Sequence, residues 1–104
     1  SSAGARAAAV QGVAGALSSG SSINYATYST NNSSTAKVTV NSCDAAKGTL
    51  QGGNYPTASD GAYSAAMTSG SFSTTAGTSN SCTLSFTPTG GTAVTASFTA
   101  IAVP

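Results

Sequence analysis

The first third of the chain repeats apolar residues at helical spacing. Four larger residues form a narrow apolar stripe on one side of a helical wheel: Val10, Val13, Leu17 and Tyr28. The opposite face is polar and uncharged: Gln11, Ser18, Ser19 and Ser22. The pattern predicts a helix over Ala5–Ala26, although Gly12, Gly15 and Gly20 lie within it and each costs about 1 kcal/mol relative to alanine. Such a helix is marginal by itself, so it must be held by packing against other parts of the protein.

The last quarter of the chain alternates apolar and polar residues, which is typical of strands with one buried face. Cys82, Leu84 and Phe86 alternate with hydroxyl residues, and a turn is predicted at Pro88–Gly91. The alternation resumes over residues 92–103. The inward positions of this second strand are Val94, Ala96, Phe98 and Ala100. Together the two segments predict an antiparallel hairpin with one buried and one threonine-lined face.

The signals between the helix and the hairpin are weaker. Alternation over Ala36–Cys43, with its two valines on one face, predicts a half-buried strand. A short helical turn is predicted near Ala45–Leu50. The stretch Leu50–Ser64 is rich in turn-forming pairs and is predicted to be irregular, and a short strand is predicted within Ser69–Gly77. A helix followed by antiparallel strands predicts an α+β fold.

The supply of large apolar residues is small. Val, Leu, Ile and Phe make up 14 of 104 residues, so the core must be thin and needs additional stabilisation. Cys43 and Cys82 can provide it, because two cysteines in a small domain rich in Ser and Thr predict one disulfide and an oxidising compartment. Closing a loop of about 40 residues contributes roughly 4 kcal/mol in the chain-entropy account.

Charge and catalytic chemistry are nearly absent from the sequence. Three basic and two acidic residues give a net charge of +1, with no His and no Glu, which argues against a nucleic-acid partner, a metal site and acid–base catalysis. Asp44 is predicted to cap the helical turn that follows it, and Asp60 to belong to a turn with Gly61. We therefore predict no enzymatic activity and no cofactor.

Several segments resemble bacterial type IV pilins, in particular those similar to the mannose-sensitive haemagglutinin pilin. The segment "ARAAAVQGVAGALSSGSSINYA" at Ala5–Ala26 is similar to the part of those pilins that follows the hydrophobic half of the first helix. The resemblance continues through "NSCDAAKGTLQGG" at Asn41–Gly53, "SCTLSF" at Ser81–Phe86 and "AVTASFTAI" at Ala93–Ile101. These segments occur in the same order and cover most of the chain.

The resemblance implies a single pilin-like domain over 1–104, with the C-terminal half of a long helix at 1–29 and a loop and antiparallel sheet at 30–104. It implies that Cys43 and Cys82 are the bridged pair of the family. It also implies an extracellular filament subunit, whose partners are its own copies and the assembly machinery of the inner membrane. Anchoring by an apolar half-helix and methylation of a processed N-terminus belong to positions that this chain does not contain.

The resemblance and the apolar pattern together suggest how the helix is used. We expect its stripe to dock on a sheet face formed by Val38, Leu84, Phe86, Val94 and Phe98. The opposite face, with Gly12, Gly15 and Ser19, would then be free to contact neighbouring subunits.

Two other functions remain open at this stage, and the sequence argues against a third. A pseudopilin of type II secretion would have the same fold. A secreted sugar-binding module could use the tyrosines, with Tyr55 and Tyr63 as the residues to test. An ice-binding protein would need a long, regular threonine array, and "TASFTA" is too short for one.

Overall fold

One long helix lies against a small antiparallel sheet. The computed structural model describes residues 2–104; Ser1, where the predicted domain begins, lies outside the described residues. Helix α1 spans Ala3–Thr30, and the Ser2 hydroxyl caps it by accepting a hydrogen bond from the Ala5 N–H at 3.1 Å. The predicted helix is therefore confirmed, and it extends a few residues further at each end.

Three strands form the sheet, in the order β1-β2-β3 and with antiparallel pairing throughout. The bounds are Gly61–Met67 for β1, Ser79–Pro88 for β2 and Val94–Ile101 for β3. The β2–β3 hairpin closes through a turn in which the Gly91 N–H donates to the Pro88 carbonyl at 3.0 Å. The predicted hairpin and the α+β fold class are thus confirmed.

The core lies between α1 and the inner face of the sheet. Helix α1 contributes Val10, Ala14 and Leu17, while the strands contribute alternate residues because side chains of a strand point to opposite faces in turn. The buried strand residues are Cys82, Leu84, Phe86, Phe98 and Ala100. The outer face of the sheet carries Ser, Thr and Ala, together with one larger apolar residue at the end of β3: Ala62, Ser64, Ala66, Ser79, Ser81, Thr83, Ser85, Thr87, Thr95, Ser97, Thr99 and Ile101.

The predicted disulfide is confirmed. The sulfur atoms of Cys43 and Cys82 are bonded, with a sequence separation of 39 and 5.8 Å between their Cα atoms. The bond ties the segment after α1 to the centre of the sheet. Cys43 precedes a short 3₁₀ helix, Asp44–Thr49, which matches the predicted helical turn. Asp44 does not cap this helix as predicted, because the Ser42 hydroxyl accepts the Ala45 N–H instead.

Helix α1 also covers one edge of the sheet with hydroxyl groups. The Thr99 N–H donates to the Ser18 hydroxyl at 3.0 Å, and the Ile101 N–H donates to the Ser21 hydroxyl at 2.7 Å. An edge strand otherwise presents unpaired N–H groups to solvent, and these contacts provide acceptors for two of the outward-facing N–H groups of β3. Ser18 was expected on the solvent side of the helix, and that expectation is wrong because β3 needs a hydrogen-bond acceptor at this point.

The strand predicted at Ala36–Cys43 is wrong. Only Val40 pairs in the manner of a strand, through two hydrogen bonds with Val103. The polar groups of Val38 are taken by the side chain of Asn24, whose oxygen accepts the Val38 N–H at 2.7 Å and whose amide donates to the Val38 carbonyl at 2.8 Å. Because a side chain completes the hydrogen bonding, the segment needs no neighbouring strand.

The other differences concern β1 and the segment that follows it. The interpretation of Leu50–Ser64 as irregular missed the start of β1, and the strand predicted within Ser69–Gly77 does not form. The connection after β1 is held by the buried Asn80 side chain, which accepts the Ser73 N–H at 2.8 Å and donates to the Ser73 carbonyl at 3.2 Å. Ser73 is thereby bonded to a side chain and not to a strand.

Candidate functional site on the exposed face of the helix

The face of α1 opposite the core is open to solvent and uncharged. At about 100° per residue, Gly12, Gly15 and Ser19 lie within one narrow sector, roughly opposite the buried Val10 and Leu17. All three are exposed, and a Cβ atom added at Gly12 or Gly15 would meet no atom within 4 Å. The absence of a side chain at Gly12 and Gly15 is therefore not required for packing within the chain.

Ile23 lies in the same sector, about three helical turns beyond Gly12. Its side chain is 68% exposed, and it is the one exposed large hydrophobic residue in the part of the chain that the structure describes. Exposing an aliphatic side chain of this size costs free energy in water, and a contact that buried it would recover that loss.

A groove of about 680 Å³ runs beside this exposed face. One wall is formed by small residues of α1. The other is formed by the loop that follows the 3₁₀ helix Asp44–Thr49 and that contains a second, three-residue 3₁₀ helix, Gln51–Gly53. Its lining residues are Ala9, Gly12, Val13, Ala16, Leu50, Gln51, Gly52, Asn54, Tyr55, Pro56 and Thr57. The lining contains no charged side chain.

The loop wall depends on local backbone geometry and on one anchored tyrosine. Gly52 and Gly53 adopt φ values of 79° and 74°, a conformation that favours glycine, and this allows the chain to turn back towards α1. The Tyr55 hydroxyl donates to Asp44 Oδ1 at 2.8 Å, which fixes the ring at the edge of the groove. This hydrogen bond therefore helps to hold the loop wall of the groove in place.

The Asp44 carboxylate accepts hydrogen bonds from both Tyr55 and Lys47. Burial alone would raise the pKa of its carboxyl, but hydrogen bonds from Lys47 and Tyr55 outweigh that effect and hold the pKa below its usual value. Lys47 Nζ lies 2.9 Å from Asp44 Oδ2 and 5.6 Å from the centre of the Tyr55 ring. Burial and the hydrogen bond to the negatively charged Asp44 raise the pKa of Tyr55 well above its usual range.

The Tyr55 ring begins a row of aromatic rings that continues across the neighbouring strands β1 and β2. Tyr55 stacks on Tyr63 with 5.6 Å between ring centres, and Tyr63 contacts Phe86 at 4.9 Å. The guanidinium of Arg6 lies 5.8 Å from the centre of the Phe86 ring and forms an ion pair with Asp60 at 3.2 Å. The groove wall is thus connected through rings to the start of α1.

The acid sensitivity of the groove wall can be measured. Because the pKa of Asp44 is lower in the folded protein than in the unfolded chain, its stabilising effect is complete above about pH 4 and is lost as pH falls through the folded pKa. We expect Asp44→Asn to remove this part of the acid dependence, at a cost of up to about 1 kcal/mol near neutral pH, since the pair is partly exposed.

The measurement is urea unfolding at a series of pH values between 6 and 2. Asp60→Asn serves as the matched control, because it removes the other acidic side chain and leaves the Asp44 network intact. Identical pH profiles for the wild-type protein and Asp44→Asn would contradict the assignment.

The structure places the remaining predicted residues as follows. Val13 is partly buried against the core, whereas Tyr28 lies at the end of α1 beside Tyr25, with Lys37 Nζ 5.5 Å from its ring centre. Tyr28 is half-buried and lies outside the core cluster. The four tyrosines form two separate pairs, Tyr25 with Tyr28 and Tyr55 with Tyr63, and not one platform.

Sequence reasoning missed the groove and the polar residues that support the helix. Ser18, Ser21 and Asn24 all bond to backbone groups of other segments. These three residues are spaced three apart on the side of α1 that faces the rest of the protein. That spacing could have indicated their role, because polar side chains repeated beside an apolar stripe need hydrogen-bond partners.

Comparison of the chain with protein-family models, with curated proteins and with solved structures gives no match. Within residues 2–104, no helix has both the length and the hydropathy to span a bilayer. The same residues bring together no cluster of His, Cys, Asp or Glu side chains suited to a metal ion. The structure itself is compatible with a pilin-like fold, in which an N-terminal helix packs on an antiparallel sheet that carries a disulfide.

Proposed function

We propose that this protein is the structural subunit of an extracellular type IV pilus, which assembles through its N-terminal helix. Its partners are copies of itself and, before assembly, the pilus machinery of the inner membrane. The observation that carries the proposal is the division of α1 into a buried face and an exposed, uncharged face of small residues. The resemblance of Ala5–Ala26 and of the later segments to type IV pilins supports the same function.

The exposed face fits a role in assembly for a physical reason. Glycine lowers the stability of a helix interior by about 1 kcal/mol relative to alanine. The subunit gains nothing from Gly12 and Gly15 in return, because a Cβ atom at either position would have room. In a filament, the absence of these side chains would allow a neighbouring subunit to approach the helix closely.

Charge supports the same conclusion. Arg6 and Lys47 are paired with Asp60 and Asp44, and the net charge is only +1. Identical subunits can therefore pack together without strong mutual repulsion, since repulsion between copies grows with net charge.

The proposal predicts opposite effects of Gly15→Leu on the subunit and on the filament. We expect the free energy of unfolding of the isolated chain to stay the same or rise by up to about 1 kcal/mol, because leucine favours the helix more than glycine does. We expect the full-length gene product to lose filaments, which electron microscopy of cells and sheared surface fractions can detect.

Thr95→Leu is the matched control, because it adds the same side chain at an exposed position on the outer face of the sheet. Filaments should persist in this variant. Filaments that persist in Gly15→Leu, or an isolated Gly15→Leu chain that unfolds, would contradict the assignment of this helix face to assembly.

A further inference from the structure

We infer that Ile23 of one subunit inserts into the groove beside α1 of the next subunit, so that the subunits associate head to tail. The inference rests on the proposed function and specifies the contact through which assembly occurs. It is carried by two features of the exposed helix face that fit each other: one projecting aliphatic side chain and one uncharged groove.

The chemistry of the two features matches. The groove is lined by aliphatic and aromatic surface from Val13, Leu50 and Tyr55, with small residues of α1 along one wall and no charge. Among residues 2–104, Ile23 is the large hydrophobic side chain that the fold leaves exposed to water. Transfer of Ile23 into the groove removes apolar surface from water on both partners and desolvates no charged group.

The geometry of the two features favours a second copy as the occupant. Ile23 and the groove lie on the same side of α1, but they are displaced along the helix axis by about ten residues, or roughly 16 Å at 1.5 Å per residue. Two parallel copies related by a screw axis present this same side to each other when the rotation between them is close to half a turn. With an axial offset of that size, the Ile23 side chain of one copy meets the groove of the other.

In a pair of subunits joined by this contact, each subunit still has one of its two contact surfaces free. The subunit that donates Ile23 still has an empty groove, and the subunit that accepts it still has an exposed Ile23. A heterologous contact of this kind does not close on itself and generates an open filament. An antiparallel pair that uses both contacts at once would instead close as a dimer.

The loop wall of the groove is preorganised for such a contact. Tyr55 is held by Asp44 and by stacking on Tyr63, so its ring is already fixed before a partner arrives. A fixed wall reduces the entropy lost on association.

The test uses the full-length gene product in cells and pairs a removal with a conservative replacement. Ile23→Ser should reduce the number of filaments at least tenfold, whereas Ile23→Leu should retain them. In both variants the isolated chain should keep its unfolding midpoint, because Ile23 is exposed in the subunit. Wild-type filament numbers in Ile23→Ser would overturn the inference.

Cross-linking then identifies the occupant of the groove. The two native cysteines are bonded to each other, so cysteines introduced by Ile23→Cys and Ala16→Cys are the sites for a short bismaleimide reagent. Filaments of mixed single variants should yield cross-linked dimers, and the double variant should yield a ladder of multimers. Products that stop at dimers in the double variant, or that contain a different protein, would overturn the head-to-tail contact.

The wild-type protein separates the two proposals. Filaments that form but give no cross-link between positions 23 and 16 would refute the Ile23 contact and leave the proposed function standing. A wild-type full-length product that never forms filaments would refute both.

Discussion

Reduction of the Cys43–Cys82 disulfide is expected to lower the free energy of unfolding by about 4 kcal/mol. The bond closes a loop with a sequence separation of 39, and its loss increases the conformational entropy of the unfolded chain by an amount of that size. A small domain has a total stability of about 5–10 kcal/mol, so the reduced protein should lie close to its unfolding transition at 37 °C. Urea unfolding with and without a reducing agent measures the difference.

The control for this experiment is the double variant Cys43→Ala with Cys82→Ala. The chain has only these two cysteines, so the reducing agent should not change the unfolding midpoint of the double variant. Equal midpoints for the reduced and oxidised wild-type protein would show that the core alone supports the fold. Such a result would contradict the expectation drawn from the small number of large apolar residues.

Leu17→Ala is expected to destabilise the protein by about 3–4 kcal/mol. Leu17 is fully buried between α1 and the sheet, with 0% of its surface exposed, so its truncation removes apolar contacts and leaves a cavity. Such substitutions cost 2–5 kcal/mol, depending on how far the surroundings can relax. The core contains few large side chains that could move into the space, so we expect a cost near the middle of that range and not at its lower end. Thermal and urea unfolding both measure the loss.

Ile23→Ala is the matched control for Leu17→Ala, because both remove a similar side chain from the same helix. Ile23 is 68% exposed, and we expect its truncation to change the free energy of unfolding by no more than about 0.5 kcal/mol. Similar losses for the two variants would mean that the buried and exposed faces of α1 are assigned incorrectly.

The main elements could be predicted from the sequence where the hydrophobic period was strong. The stripe of Val10, Val13 and Leu17 predicted α1, and the alternation of Leu84 and Phe86 with hydroxyl residues predicted β2. The turn after β2 and the disulfide followed from local chemistry. The helix, the strand and the turn depend on residues close in sequence, and two cysteines allow only one disulfide. For that reason these features could be derived.

The features that were missed depend on tertiary contacts. Strand β1 alternates in the same way as β2, but its inward Ala65 has little preference for strands, and pairing with β2 supplies the stability that its composition lacks. The predicted strand around Val38 did not form because Asn24 satisfied its backbone. The groove could not be derived, because its walls lie far apart in sequence and meet only when the loop after Leu50 folds back towards α1.

The two serine hydroxyls that cover the edge of β3 also protect the protein against misfolding. While α1 stays in place, the N–H groups of Thr99 and Ile101 are occupied and cannot recruit a strand from another molecule. If heat or acid detached α1 first, β3 would become an open template of alternating Thr and apolar residues, with no charged residue to oppose stacking. Partial melting of the helix is therefore the step at which amyloid-like aggregation of this protein would begin.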